Sequence, residues 1–117
     1  MSSYVAGQIV IADWRDALPR EPNKRRPAIV VEDGGLFGPN YPNVILVPLS
    51  EGRDLAIGDL SVVIDPTPEN GCTKKCYALS HVVAATSKRR VTATPSRILP
   101  EQLDTIRRQI ALAIGLE

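Results

Sequence analysis

Short apolar runs recur along the chain, each closed by glycine, proline or a cluster of polar residues. Gly7-Gln8-Ile9-Val10-Ile11-Ala12-Asp13-Trp14 is dense in β-branched residues and predicts a first strand opening just after a glycine. Arg15 to Arg26, with Pro19 and Pro22, reads as a polar connection too long for a tight hairpin, the kind of segment that tends to carry function. Pro27 to Val31 predicts a second strand. Asp33 to Asn43 is dense in turn formers and must be loop. Val44 to Leu49 predicts a third strand, in which Pro48 points to an edge or a bulge. Leu60 to Ile64 predicts a fourth, stopped by Asp65-Pro66-Thr67-Pro68. Cys76 to Ala85 holds a further strand or strands, ending at the polar run Thr86-Ser87-Lys88-Arg89-Arg90. Strands this short and this closely spaced predict a small barrel or sandwich.

Helical period appears only near the C-terminus. From Pro100 at N1, Leu103, Ile106, Ile110, Ala113 and Ile114 share one face, Asp104, Arg107 and Arg108 take the other, and Gly115 is a natural C′ stop. Burying its large aliphatics at roughly 1.5–3 kcal/mol each would dock this helix on the sheet, before entropy is subtracted. At 117 residues, 44% hydrophobic and 23% charged, the chain predicts one domain over 1–117 with its own core. Met1 to Tyr4 has no positive n-region, and Ile9 to Ala12 is too short for an h-region or a span. A cytoplasmic location without membrane contact follows as an expectation.

Net charge is +1, but its distribution says more. Residues 1–30 carry +2, residues 31–70 carry −6 and residues 71–117 carry +5. If the basic ends meet in the fold they make a face that attracts a polyanion; if they do not, the charge is merely scattered.

The densest cationic stretch, Lys24-Arg25-Arg26, ends in Pro27 and runs straight into the second strand. Proline at a strand's first residue leaves Arg26 as the last residue of the loop, with a rigid strand behind its guanidinium. A planar fork held that way suits a phosphate. Charge alone favours the plainer reading of a solvated loop. Cys72 and Cys76 form a Cys-x3-Cys loop pair with no second Cys/His pair to complete a zinc site, so two reduced thiols are expected and no metal. His81 is the only histidine, a candidate acid or base because its unperturbed side chain titrates near neutral, although in an apolar run such residues are more often structural. Base stacking would fall to Trp14, Phe37, Tyr41 or Tyr77, of which Trp14 and Tyr77 lie in strand patterns and read as core.

Taken in order, Gly7-Gln8-Ile9-Val10, Glu21, Arg25-Arg26-Pro27-Ala28-Ile29-Val30-Val31, Val47-Pro48-Leu49-Ser50 and the C-terminal helix resemble the MazF/PemK-type toxins of bacterial toxin–antitoxin systems. The resemblance implies a mainly β fold, a small SH3-like barrel with a C-terminal α-helix. It also implies a homodimer, a cognate antitoxin partner, no cofactor, and metal-free cleavage of single-stranded RNA at a short preferred sequence. Such cleavage uses the adjacent 2′-hydroxyl as nucleophile, so the protein supplies proton transfer and charge stabilisation rather than a nucleophile of its own.

On that resemblance Arg26 matches the family's catalytic arginine, and Ser50 stands where relatives usually carry threonine. Without it, Ser50 reads equally well as a strand-end turn residue. Arg20, Glu21, Lys24, Arg25, His81, Thr86, Lys88 and Arg89 become the expected RNA contacts; from charge, Lys74, Lys75 and Arg90 join the same path, although a merely solvated face is at least as common. The chain departs from the family in Ser80-His81-Val82-Val83-Ala84-Ala85-Thr86, where relatives have a pattern close to Asp-Gln-(Ile/Val)-Arg-Thr-(Val/Ile)-Asp. Val83 replaces the arginine and Thr86 the aspartate. The alternatives are a toxin of the same fold that does not cleave or that poisons gyrase, as CcdB toxins do, and a plain RNA-binding barrel.

Overall fold

The computed structural model describes residues 4–15, 25–52 and 56–116. Within them the chain forms β1 (Gln8–Asp13), β2 (Arg25–Val30), β3 (Asn43–Ser50), β4 (Ser61–Ile64), β5 (Cys76–Leu79), β6 (Ala84–Ser87), β7 (Val91–Arg97) and a terminal helix, α1 (Pro100–Ala113). The strands are antiparallel in the order β4-β5-β3-β2-β1-β7, with β6 also on β3. This is the mainly β class with a C-terminal helix. The hydrogen-bonded order does not return on itself; the chain bridges β6 to β7 through a single 3-10 turn, Lys88–Arg90.

β3 organises the sheet because it serves two partners. Its first half pairs with β6, Asn43↔Ser87 to Leu46↔Ala84, and its end pairs with β5, Leu49↔Ala78 and Ser50↔Tyr77. Pro48 falls in the gap between those ladders, so its missing N–H breaks no rung. The residue is fully buried in a central strand, not at the edge its identity suggested. β7 was not legible in advance, although Val91-Thr92-Ala93-Thr94 alternates; its Pro95 is tolerated because β7 is an outer strand with a bulge opposite β1.

Strand alternation gives the central sheet two faces. Val10, Ala12, Trp14, Ala28, Val30, Val44 and Leu46 pack on one. Ile9, Ile29, Val31, Val47 and Leu49 pack on the other, against Ile64, Ala78, Ile98 and Ile106 of the helix side. Only Ile106 of α1 is fully buried, with Leu103 and Ile110 half-buried beside it, while Ile114 and Leu116 are exposed. The helix is therefore held by fewer apolar contacts than its pattern implies, and polar ones make up the difference. Arg107, expected on the free face, donates from Nε to Val31 O and from a terminal nitrogen to Glu32 O, both at 3.0 Å. Gln109 accepts from the buried Ser80 hydroxyl at 2.6 Å and donates to Ser61 O at 3.0 Å. Gly115 ends the helix at φ +85 in a Schellman pair, Leu116 N to Ala111 O and Gly115 N to Leu112 O. Ile106→Ala should lower unfolding stability by about 2–5 kcal/mol in urea titration, since it opens a cavity at the helix's one fully buried side chain.

β2 begins two residues earlier than expected, at Arg25, because Asp13↔Arg25 and Ala12↔Arg26 continue the ladder with β1. The Val31 N–H donates to Ile45 O on β3, so by alternation the Pro27 nitrogen also faces the β3 side. The β2–β3 ladder starts only at Ala28↔Pro48, so Pro27 has no rung to lose there.

Candidate nucleic-acid interface

Starting the strand at Arg25 separates the two arginines. Neighbouring strand residues point to opposite faces, so Arg25 shares a face with Asp13 and Pro27, and Arg26 shares the other with Ala12 and Ala28. The expected single cationic cluster is thus two separate sites.

Arg26 belongs to a row that crosses the sheet. Val91 pairs with Ala12, Ala12 with Arg26, Ser50 with Tyr77, and Tyr77 with Val63. The β2–β3 ladder stops at Ala28↔Pro48, and by alternation Arg26 and Ser50, each two residues beyond it, fall on the same face. Along this row the environment changes from the buried Ala12 to the exposed Val63. Arg26 and Ser50, both half-buried, stand at the transition.

The Arg26 Nε is buried and has no hydrogen-bond partner among the described residues. Desolvation lowers its pKa from the ordinary guanidinium value, yet an arginine stays protonated in a protein. A half-buried cation in this state gains most from an incoming anion, because little water has to be stripped away. The Ser50 hydroxyl is engaged locally, accepting from Gly52 N–H and donating to Gly52 O, both at 3.2 Å. It can turn its proton to a ligand by exchanging that one carbonyl contact. Tyr77, expected in the core, is half-buried and lies beside Ser50 as its cross-strand partner, where Cβ atoms are about 4.5–5.5 Å apart. No periodicity distinguishes such a tyrosine from a core one; only the register does.

On the opposite face, Arg15, Arg25, Arg89 and Arg90 line a groove of about 510 Å³ together with Ile11, Asp13 and Thr92. The basic N-terminal and C-terminal blocks do meet here. Asp13 is the single acid among the groove's described lining residues, bonded by Arg15 through Nε at 2.9 Å and a terminal nitrogen at 2.7 Å. Those bonds, with the Arg15 backbone N–H, bring its pKa down to about 2, and the carboxylate raises that of Arg15 in return. Arg90 donates to the Asp13 carbonyl at 3.3 Å. Arg25 and Arg89 are exposed, and the described lining is positive on balance.

The other expected contacts are dispersed. Thr86 is 4% exposed and accepts the Trp14 indole N–H at 3.3 Å, so it anchors the core rather than lining a surface. Lys88 folds its ammonium over the Tyr4 ring, 5.9 Å from the centroid, away from the groove that its neighbours line. His81 lies in the Ser80–Val82 turn packed against α1, across the sheet from Arg26. Phe37 and Tyr41 form a tilted pair at 5.2 Å in the loop before β3. Arg20, Glu21 and Lys24 lie outside the described residues. Among the described residues no three His, Cys, Asp or Glu side chains converge as metal ligands, and no helix is long and apolar enough to cross a membrane.

Comparison with known proteins places this geometry in a family. The model for PemK-like, MazF-like toxins of type II toxin–antitoxin systems matches residues 6–114. Among solved structures, the chain is similar to MazF from Deinococcus radiodurans at 19% identity and a TM-score of 0.74, covering 97% of this chain and 99% of that one. It is similar to a mycobacterial endoribonuclease in complex with its cognate antitoxin at 18% identity and a TM-score of 0.73, covering 98% of each. It also resembles Mycobacterium tuberculosis toxin MazF-mt6, at 17% identity and a TM-score of 0.71, over 94% of this chain and 98% of that one. No curated protein matches the chain.

Proposed function

The chain belongs to the PemK-like, MazF-like toxins of type II toxin–antitoxin systems, and we propose that it is a metal-independent endoribonuclease that cuts single-stranded mRNA at a short preferred sequence. The observation that carries this reading is the half-buried Arg26 guanidinium, its Nε buried without a partner among the described residues, on the same sheet face as Ser50 by strand alternation. Arg26 holds the scissile phosphate and takes up the charge that builds on its oxygens as the 2′-hydroxyl attacks phosphorus. Ser50 releases Gly52 O and donates to the same phosphate. Tyr77, next to Ser50, offers a ring on which a base beside the cut can stack.

The Arg25/Arg89 groove, on the other face, draws in the rest of the strand through its phosphates. Arg25→Gln and Arg89→Gln should each reduce the slope of log affinity against log salt by about 0.7, read by anisotropy on a single-stranded RNA. The mycobacterial neighbour is found with its cognate antitoxin. By extension, an acidic and partly disordered antitoxin segment lies across this basic groove and blocks the RNA path, and the toxin works as a cytoplasmic homodimer.

The test is a cleavage assay on single-stranded RNA in EDTA. Cutting that leaves 2′,3′-cyclic phosphate ends is the expected result. Tight binding with no cleavage overturns the nuclease reading and leaves an RNA-binding protein of this fold.

A further inference from the structure

The loop from Cys72 to Cys76 carries chemistry that RNA binding does not use. Asn70, buried ahead of it, accepts from Thr67 N–H at 3.0 Å and Cys72 N–H at 2.9 Å and donates to Asp65 O at 2.8 Å. Gly71 follows at φ +66, and a Cβ there would meet Ser96 Oγ at 2.7 Å, so this turn is pressed against β7. Cys72 is thereby fixed from one side. Cys76 is fixed from the other as the first residue of β5, paired with Ile64. Only Thr73, Lys74 and Lys75, all exposed, separate these two anchored positions.

Both cysteines are free, Cys72 packs against the core cluster that holds Cys76, and the two share the wall of a cavity of about 210 Å³. Each thiol also donates to a loop carbonyl, Cys72 to Asn70 O at 3.8 Å and Cys76 to Lys74 O at 3.4 Å, which fixes where the sulfurs point. The two are unequal. Cys72 is half-buried and Cys76 is buried; desolvation, with smaller contributions from Cys72 and Glu51, pushes the Cys76 pKa up to about 11. A small oxidant in water therefore meets Cys72 first.

We propose that Cys72 and Cys76 form a reversible oxidation site for hydrogen peroxide, closing to a disulfide within the loop. The Cys72 thiolate attacks one peroxide oxygen; the O–O bond breaks, hydroxide leaves, and Cys72 becomes a sulfenic acid. The Cys76 sulfur then attacks the Cys72 sulfur, the S–O bond breaks, and the departing oxygen takes the Cys76 proton and leaves as water. Two thiols lose two electrons, and both peroxide oxygens end as water. A small thiol reverses the change. With two sulfurs and no third ligand among the described residues, oxidation suits the pair better than metal capture. The closed ring holds Lys74, whose Nζ lies 3.9 Å from Glu51, both side chains exposed.

The assignment is independent of the nuclease reading, and its test follows sulfur alone. Full-length protein is treated with hydrogen peroxide, denatured and alkylated. Cys72 and Cys76 are the only cysteines, so thiols can be counted without ambiguity. The expected product is monomeric, resists alkylation at both positions, is lighter by the two departed hydrogens, and regains both thiols with dithiothreitol. Cys76→Ser should stop at a Cys72 sulfenic acid trapped by dimedone, and Cys72→Ser should leave Cys76 unoxidised. A product in which one thiol still alkylates, or a dimer linked between chains, overturns the proposal.

Discussion

Arg26→Ala should lower the RNA cleavage rate by on the order of 10²–10³-fold, the loss expected when one preorganised charge-stabilising group is removed from a reaction centre. The same substitution should leave the urea midpoint unchanged or slightly raised. Among the described residues no carboxylate faces Arg26 in the ladder and its Nε is buried without a hydrogen bond, so truncation removes little that supports the folded state. Arg26→Lys should recover only a small part of the rate, because an ammonium keeps the charge but not the fork that grips two oxygens. Arg25→Ala, one residue away but on the opposite face, should weaken binding with little change in the rate of the bound complex. A large fall in that rate for Arg25→Ala, with Arg26→Ala near wild type, would place the reaction in the wrong groove.

Replacing the 2′-hydroxyl at the cut site by hydrogen should reduce cleavage to the detection limit, since the attacking atom is gone and neither Arg26 nor Ser50 can replace it. Affinity should fall by no more than about tenfold, the value of one hydrogen bond of about 0.5–1.5 kcal/mol. Both effects can be read on one oligonucleotide pair, with gel resolution for cutting and anisotropy for binding. Cleavage that persists on the deoxy substrate would point to an attacking water and a different role for Arg26.

Much of this arrangement was legible in the residues. The Pro100 start and Gly115 stop of α1 follow from backbone chemistry that tertiary context does not alter. The strands around Ile9 to Ala12, Ala28 to Val30 and Val44 to Val47 are buried runs whose composition leaves little choice. What could not be read were the facts set by register. Pro48 looked like an edge residue because a sequence does not reveal that one strand changes partners midway. Arg25 and Arg26 looked like one patch because the ladder's extension past Pro27 depends on Asp13 and Ala12, twelve and fourteen residues earlier. Tyr77 and Thr86 exchanged their expected places for the same reason. Tyr77 sits in an apolar run and Thr86 opens a polar one, and only pairing decides that the tyrosine reaches the row beside Ser50 while the threonine holds Trp14. Arg107 was assigned to solvent by helical period, yet its length lets it reach back to two sheet carbonyls.

The account stands on Arg26 and Ser50 meeting one phosphate. A crystal structure of the protein with its 2′-deoxy RNA tests this most directly. The scissile phosphate should lie about 2.7–2.9 Å from the Arg26 guanidinium nitrogens, with the Ser50 hydroxyl turned from Gly52 toward the same group. A scissile phosphate seated among Arg25, Arg89 and Arg90 instead, with Arg26 untouched, would contradict it.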